Sequence, residues 1–156
     1  MKADDAPFIL ELLNEPAFLQ NIGDRGVRTA ADAGLYIRNG PMASYEKFGF
    51  GLYLVERKEP LTPVGICGLL KRDFLEDADI GFAFLGRFWS LGYAYESASA
   101  VMDYGHRVLG LKRILAITAP HNRGSIRVLE KIGLRFDKFV GMPGIDEPRK
   151  LFTSKP

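Results

Sequence analysis

At 156 residues, 47% of them hydrophobic and 12% aromatic, the chain has enough apolar material for one compact domain with its own core, and its 26% of charged residues fits a folded chain rather than a disordered one. A net charge of +2 and a pI near 8.7 suit a small anionic ligand and fall well short of a nucleic-acid footprint. No apolar run is long enough for a spanning helix and Met1-Lys2-Ala3-Asp4-Asp5 lacks a leader's apolar core, which points to the cytoplasm; one cysteine, Cys67, with only His106 and His121 beside it, excludes an internal disulfide and a zinc-like cluster.

Taken in chain order, Asp5 with Ala6-Pro7 and then Ile9, Leu12 and Leu13 predict a helix that stops before Pro16. A polar loop through Gly23 and Gly26 follows. Thr29 with Asp32 resembles a capping box and opens a short second helix, with Leu35 and Ile37 on it, closed by Asn39-Gly40-Pro41. Phe48 to Glu56 reads as a strand, Lys58 to Pro63 as a turn, Val64 to Leu70 as the antiparallel partner, and Ala78 to Leu85 as a third strand of the meander. After Trp89-Ser90-Leu91-Gly92, the spacing of Ala94, Ala98, Val101, Met102, Gly105, Val108 and Leu109 predicts a helix ending at Gly110. Ile114 to Thr118 is a short strand, Asn122 caps a helix that Gly133 closes, and Leu134 to Val140 with Arg149 to Phe152 supplies two closing strands. Helices must then cover the faces of a mixed sheet, which makes this an α+β or α/β domain spanning 1–156.

The junction from Asp79-Ile80-Gly81-Phe82-Ala83-Phe84 through Trp89-Ser90-Leu91-Gly92-Tyr93-Ala94 runs from strand straight into helix. Such a junction presents unpaired N–H groups at the positive end of a helix dipole, a site for a pyrophosphate, and Gly92 lets a ligand approach the backbone closely. An ordinary tight turn explains the glycine equally well on its own. The next helix opens with Asn122-Arg123-Gly124-Ser125 and continues Ile-Arg-Val-Leu-Glu-Lys-Ile-Gly.

With these two segments together, Asp79 to Phe136 resembles the GNAT N-acetyltransferases, and within them the RimJ/RimL-like branch of ribosomal-protein N-terminal acetyltransferases. That branch shows a Glu-Ile-Gly-Tyr strand, a Trp-Gly-Lys-Gly-Tyr-Ala turn, and an Asn-x-x-Ser helix leading into Leu-Glu-Lys-x-Gly-Phe. Here Ser90 replaces a glycine, which the resemblance treats as harmless to a backbone cradle; Leu91 replaces a basic or polar residue; and Asp79 replaces the glutamate. The family's first edge strand has no counterpart before the first helix.

The resemblance implies a mixed, mostly antiparallel sheet splayed between two strands, with helices on both faces. It also implies acetyl-coenzyme A as cofactor and transfer to a primary amine of a small molecule or protein N-terminus, by a monomer or homodimer. The pantetheine arm would lie in the splay, on the main chain of Phe82, Ala83 and Phe84. The diphosphate would sit on Trp89, Ser90, Leu91, Gly92, Tyr93 and Ala94, with Asn122 and Ser125 also touching cofactor. Asp79 would take the amine's proton through a water, Ser125 would protonate the leaving thiolate, and a strand N–H would stabilise the oxyanion. The 16–28 loop and Gly141 to Pro148 would hold the acceptor, with Asp146 and Glu147 drawing a cation.

Blander readings stand beside these: Asn122 as a simple cap, Ser125 as a solvated first-turn serine, Asp79 as a strand end near Arg72, and Trp89 and Tyr93 as packing. Cys67 reads as a buried inert thiol, His121 as an exposed loop residue and His106 as an outer-face one. A non-catalytic acyl-coenzyme-A-binding or sensing module is the alternative function, and retention of both Asp79 and Ser125 argues for an enzyme.

Overall fold

A computed structural model describes residues 1–154. The first helix, α1 (Ala6–Leu13), buries Ile9, Leu12 and Leu13 on one stripe. Pro16, expected to begin a loop, instead starts α2 (Pro16–Asn21): its fixed φ and absent N–H are harmless at a first helical position, and Glu15 before it is extended. The α3 helix (Ala30–Ile37) begins with the full capping box, Thr29 accepting from the Asp32 amide at 3.1 Å and Asp32 accepting from the Thr29 amide at 3.1 Å.

Asn39-Gly40-Pro41 does not end that helix. The chain widens into a π turn (Arg38–Met42), which absorbs the donor missing at Pro41, and runs on as α4 (Ala43–Phe48) to the left-handed Gly49. The first strand therefore starts at Leu52, four residues later than its sequence suggests.

Six strands follow in one sheet: β1 (Leu52–Lys58), β2 (Leu61–Leu70), β3 (Asp79–Phe84), β4 (Leu115–Thr118), β5 (Arg135–Met142) and β6 (Ile145–Thr153), ordered β1-β2-β3-β4-β6-β5. Every pairing is antiparallel except β3 with β4. The last strand begins at Ile145, not Arg149. Pro148 is tolerated because its stretch precedes the point where β4 joins, at Thr118 opposite Lys150, and lies against an irregular part of the β5 ladder.

Helices α1 to α3 pack over one face, on Val64 and Ile66. The opposite face, with Cys67, Leu69 and Ile80, is covered by α5 (Tyr93–Arg107) and α6 (Arg123–Lys131). Gly105 lets α5 lie close to the sheet, since a Cβ there would stand 2.8 Å from Ile114 Cδ1. No helix among the described residues is long and apolar enough to cross a membrane.

Candidate active site

The site begins where the sheet comes apart. Strands β3 and β4 are paired at a single position, Asp79 opposite Leu115, held by the Leu115 amide donating to the Ala78 carbonyl at 2.9 Å. Beyond it the two strands diverge. On the β2 side, the Leu85 amide donates to the Val64 carbonyl at 3.0 Å, and the antiparallel alternation then turns Ala83 and Gly81 toward β2 and Phe82 and Phe84 toward the gap. The same count on β4 turns the Ile117 main chain into the gap from the other side.

At the open end, a single 3-10 turn (Gly86–Phe88) leads to the start of α5. Gly92 caps the helix at φ 87°, with open space where a side chain would go. Among the described residues, the amides from Ser90 to Tyr95 donate to no other protein group, and the first helical bond comes from Glu96 to the Gly92 carbonyl at 3.0 Å. Six backbone donors at and just before the positive end of a fifteen-residue helix thus have no protein partner, an arrangement suited to a diphosphate. Ser90 adopts φ 62°, a conformation natural to glycine, so its serine carries roughly 1 kcal/mol of strain that a glycine would not. Trp89 braces this turn: its indole N–H donates to the Phe84 carbonyl at 2.8 Å.

A pocket of about 160 Å³ runs through the gap, from Phe18, Asn21 and Tyr36 on the N-terminal helices to Asn122 and Ser125 at the start of α6. Of the residues singled out from sequence, Asp79, Phe82, Ala83, Asn122 and Ser125 share its wall. Phe84 at the end of β3, Trp89, Ser90, Leu91 and Gly92 in the turn, and Tyr93 and Ala94 at the start of α5 lie outside its lining. The Asn122 side chain accepts from the Ser125 amide at 3.2 Å and is the α6 cap, which fixes Ser125 on the first turn facing the pocket.

Asp79 is almost fully buried, and both its oxygens accept from Arg72 Nε, at 3.1 and 3.0 Å. Burial raises its pKa to about 6, winning over the opposing Arg72 guanidinium. Its carboxyl therefore changes protonation close to neutrality. The Tyr36 hydroxyl is pushed up by burial against the pull of Arg25 and Arg72, so it stays neutral. Burial likewise pushes the Cys67 thiol up to about 12, and its thiolate is not available.

Arg25, Tyr36, Arg72 and Arg149 also line the pocket; from sequence, Arg72 figures as a neighbour of Asp79, Arg25 only as part of the 16–28 loop, Arg149 only as the start of a strand, and Tyr36 not at all. Arg149 had a readable sign: it shares a strand face with the core residue Leu151, so its side chain is turned inward. Asp146 and Glu147, expected to draw in a cation, are exposed and lie outside the wall. His121 is exposed, with Nε2 3.0 Å from Asn21 Oδ1.

Residues 1–135 match the family described as "Acetyltransferase (GNAT) domain". An uncharacterized N-acetyltransferase of Bacillus subtilis, YnaD, is 32% identical over 114 residues, which is 73% of this chain and 64% of the relative. The matched stretches span from about half to just under two thirds of the length of the curated relatives. Among solved structures, an acetyltransferase from Agrobacterium tumefaciens superposes with a TM-score of 0.81 at 20% identity, over 100% of this chain and 88% of that one. AAC(6')-Ib in complex with paromomycin and acetyl-CoA does so with a TM-score of 0.78 at 19% identity, over 99% and 90%. At such identities the superpositions show a shared fold.

Proposed function

Because the chain belongs to the GNAT acetyltransferase domain family, we propose that it is an N-acyltransferase that carries an acetyl group from acetyl-coenzyme A to a primary amine. The observation that carries this reading is the pairing of a gap between β3 and β4 with six unengaged amides beside it. Acetyl-CoA is the donor this fold family uses, and a structural neighbour binds it. When bound, it supplies an activated thioester carbonyl. The amides of residues 90–95 would hold its diphosphate, and the Phe82 and Phe84 main chain would line its arm; Phe84 would offer chiefly its N–H, since Trp89 already occupies the carbonyl.

The remaining chemistry belongs to side chains on the pocket wall. Asp79 as carboxylate would accept the amine's proton through a water, its burial having brought its pKa near the working range. Ser125 would donate a proton at the departing sulfur, with Asn122 fixing the turn that carries it. Neither role needs a covalent enzyme intermediate. The same two residues favour an enzyme over a sensing module, which would need only the amide cradle. The motif likeness to RimJ/RimL-like proteins supports an amine acceptor in the cytoplasm.

The test separates shape from charge at one position. Asn tolerates the left-handed conformation of Gly92 about as well as Asp does, and the two differ by one negative charge. Calorimetric titration with acetyl-CoA is expected to show Gly92→Asp binding at least about tenfold more weakly than Gly92→Asn, because the anion would sit beside the diphosphate. Equal affinities, or no binding by the unaltered protein, would remove the diphosphate from this turn.

A further inference from the structure

Arg149 stands apart from every other arginine of the pocket. Its strand register places it on the same sheet face as Asp79, one strand beyond β4: Asp79 lies beside Leu115, Leu115 opposite Thr153, and Leu151 and Arg149 follow at two-residue steps. It lines the pocket, is only 8% exposed, and has a buried Nη1 with no hydrogen-bond partner. Among the described residues no carboxylate pairs with it. The acids close by in sequence, Asp146 and Glu147, point to solvent.

A buried guanidinium without a partner is unfavourable by itself, and such groups are found where something else supplies the acceptor. The charges around it sharpen the point. Arg25, Arg72 and Arg149 face the pocket against one acid, Asp79, and Arg72 already holds that acid. A polycationic acceptor would meet a positive wall. An anionic group would find two arginines to receive it, and a carboxylate matches the planar fork of a guanidinium. The donor's phosphates do not answer this need, because residues 90–95 lie outside the wall that Arg149 lines. The volume, about 160 Å³, is below the roughly 300 Å³ at which pockets begin to take drug-sized ligands, and suits a small group.

We propose that the acceptor is a small free molecule carrying both a primary amine and a carboxylate, an amino acid in the broad sense, whose carboxylate is held by Arg149 and Arg25 with its amine toward Asp79. This rests on the acyl-transfer reading above and narrows its substrate.

The experiment uses the full chain with acetyl-CoA and three sets of amines: free amino acids including β- and γ-amino acids, the corresponding carboxamides, and spermidine. Thiol release and acetylated product by mass spectrometry give kcat/KM for each. At least one amino acid is expected to exceed its carboxamide about tenfold or more, with spermidine poorest. Arg149→Gln should shrink that acid-to-amide ratio about tenfold or more, chiefly through KM, and Arg25→Gln, on an exposed residue whose replacement leaves the core alone, should shrink it in the same direction. Carboxamides or spermidine turning over as well as the acids, or a ratio unmoved in both variants, overturns the carboxylate-bearing acceptor and leaves acyl transfer standing. Absence of acetyl-CoA binding in calorimetry overturns both.

Discussion

Asp79 concentrates the most physics in one residue. Burial moves its pKa from 3.8 to about 6, so between those values the folded chain keeps a proton that the unfolded chain has released. Folding stability from this group is therefore fully present below about pH 4, declines as pH climbs through that window, by on the order of 3 kcal/mol, and is level above about pH 6. In Asp79→Asn the urea midpoint at about pH 7 should gain on the midpoint at about pH 4, compared with the unaltered protein, because the substituted residue has no proton to lose. For turnover the sign is reversed. In the proposed role of base, Asp79 would work only once ionised, so kcat/KM should rise through an acid limb near pH 6, and Asp79→Asn should lose that limb together with about a hundredfold or more of the rate. Ser125→Ala is expected to lower kcat about tenfold or more while acetyl-CoA affinity stays nearly constant, since a proton donor acts in the transition state. A change confined to cofactor affinity would make Ser125 a binding residue instead.

At the scale of elements, the turn between β3 and α5 determines where the free amides point. It is held by the Trp89 indole on the Phe84 carbonyl and by the left-handed residues Ser90 and Gly92. Trp89→Phe keeps an aromatic ring but loses the N–H, so it should reduce stability by about 1 kcal/mol and weaken acetyl-CoA binding, because the cradle and the strand end would no longer be tied together. An unchanged dissociation constant would mean that the turn holds its shape without the brace. The N-terminal helices show how a breaker can be absorbed. Pro41 has the look of a stop signal, yet the π turn passes around it and α4 follows, anchored by the Ser44 hydroxyl donating to the Phe50 carbonyl and by Tyr45 stacking on Tyr53 of β1.

For the whole molecule, cofactor binding and folding are linked through the parted strands. Acetyl-CoA at about a hundred times its dissociation constant should stabilise the fold by roughly 2.7 kcal/mol, a rise in Tm of about 5–10 °C for a chain of this size, measurable by differential scanning calorimetry. No shift at such a concentration would be incompatible with a bound donor.

Local sequence determined the strand meander, the α5 and α6 spans, the Thr29 box and the Asn122 cap, because each depends on periodicity or on groups three or four residues apart. It also marked Gly92 and the helix start behind it, since a capped helix start with free amides is itself local. The tertiary structure alone decided that β3 and β4 part after one residue pair, that Asp79 is buried against Arg72 with its pKa raised, and that Arg25, Tyr36 and Arg149 meet around one pocket. Arg25, Tyr36, Arg72, Asp79 and Arg149 lie on five separate segments, and their burial and charge follow from which strand sits beside which, a relation that spacing along the chain does not encode.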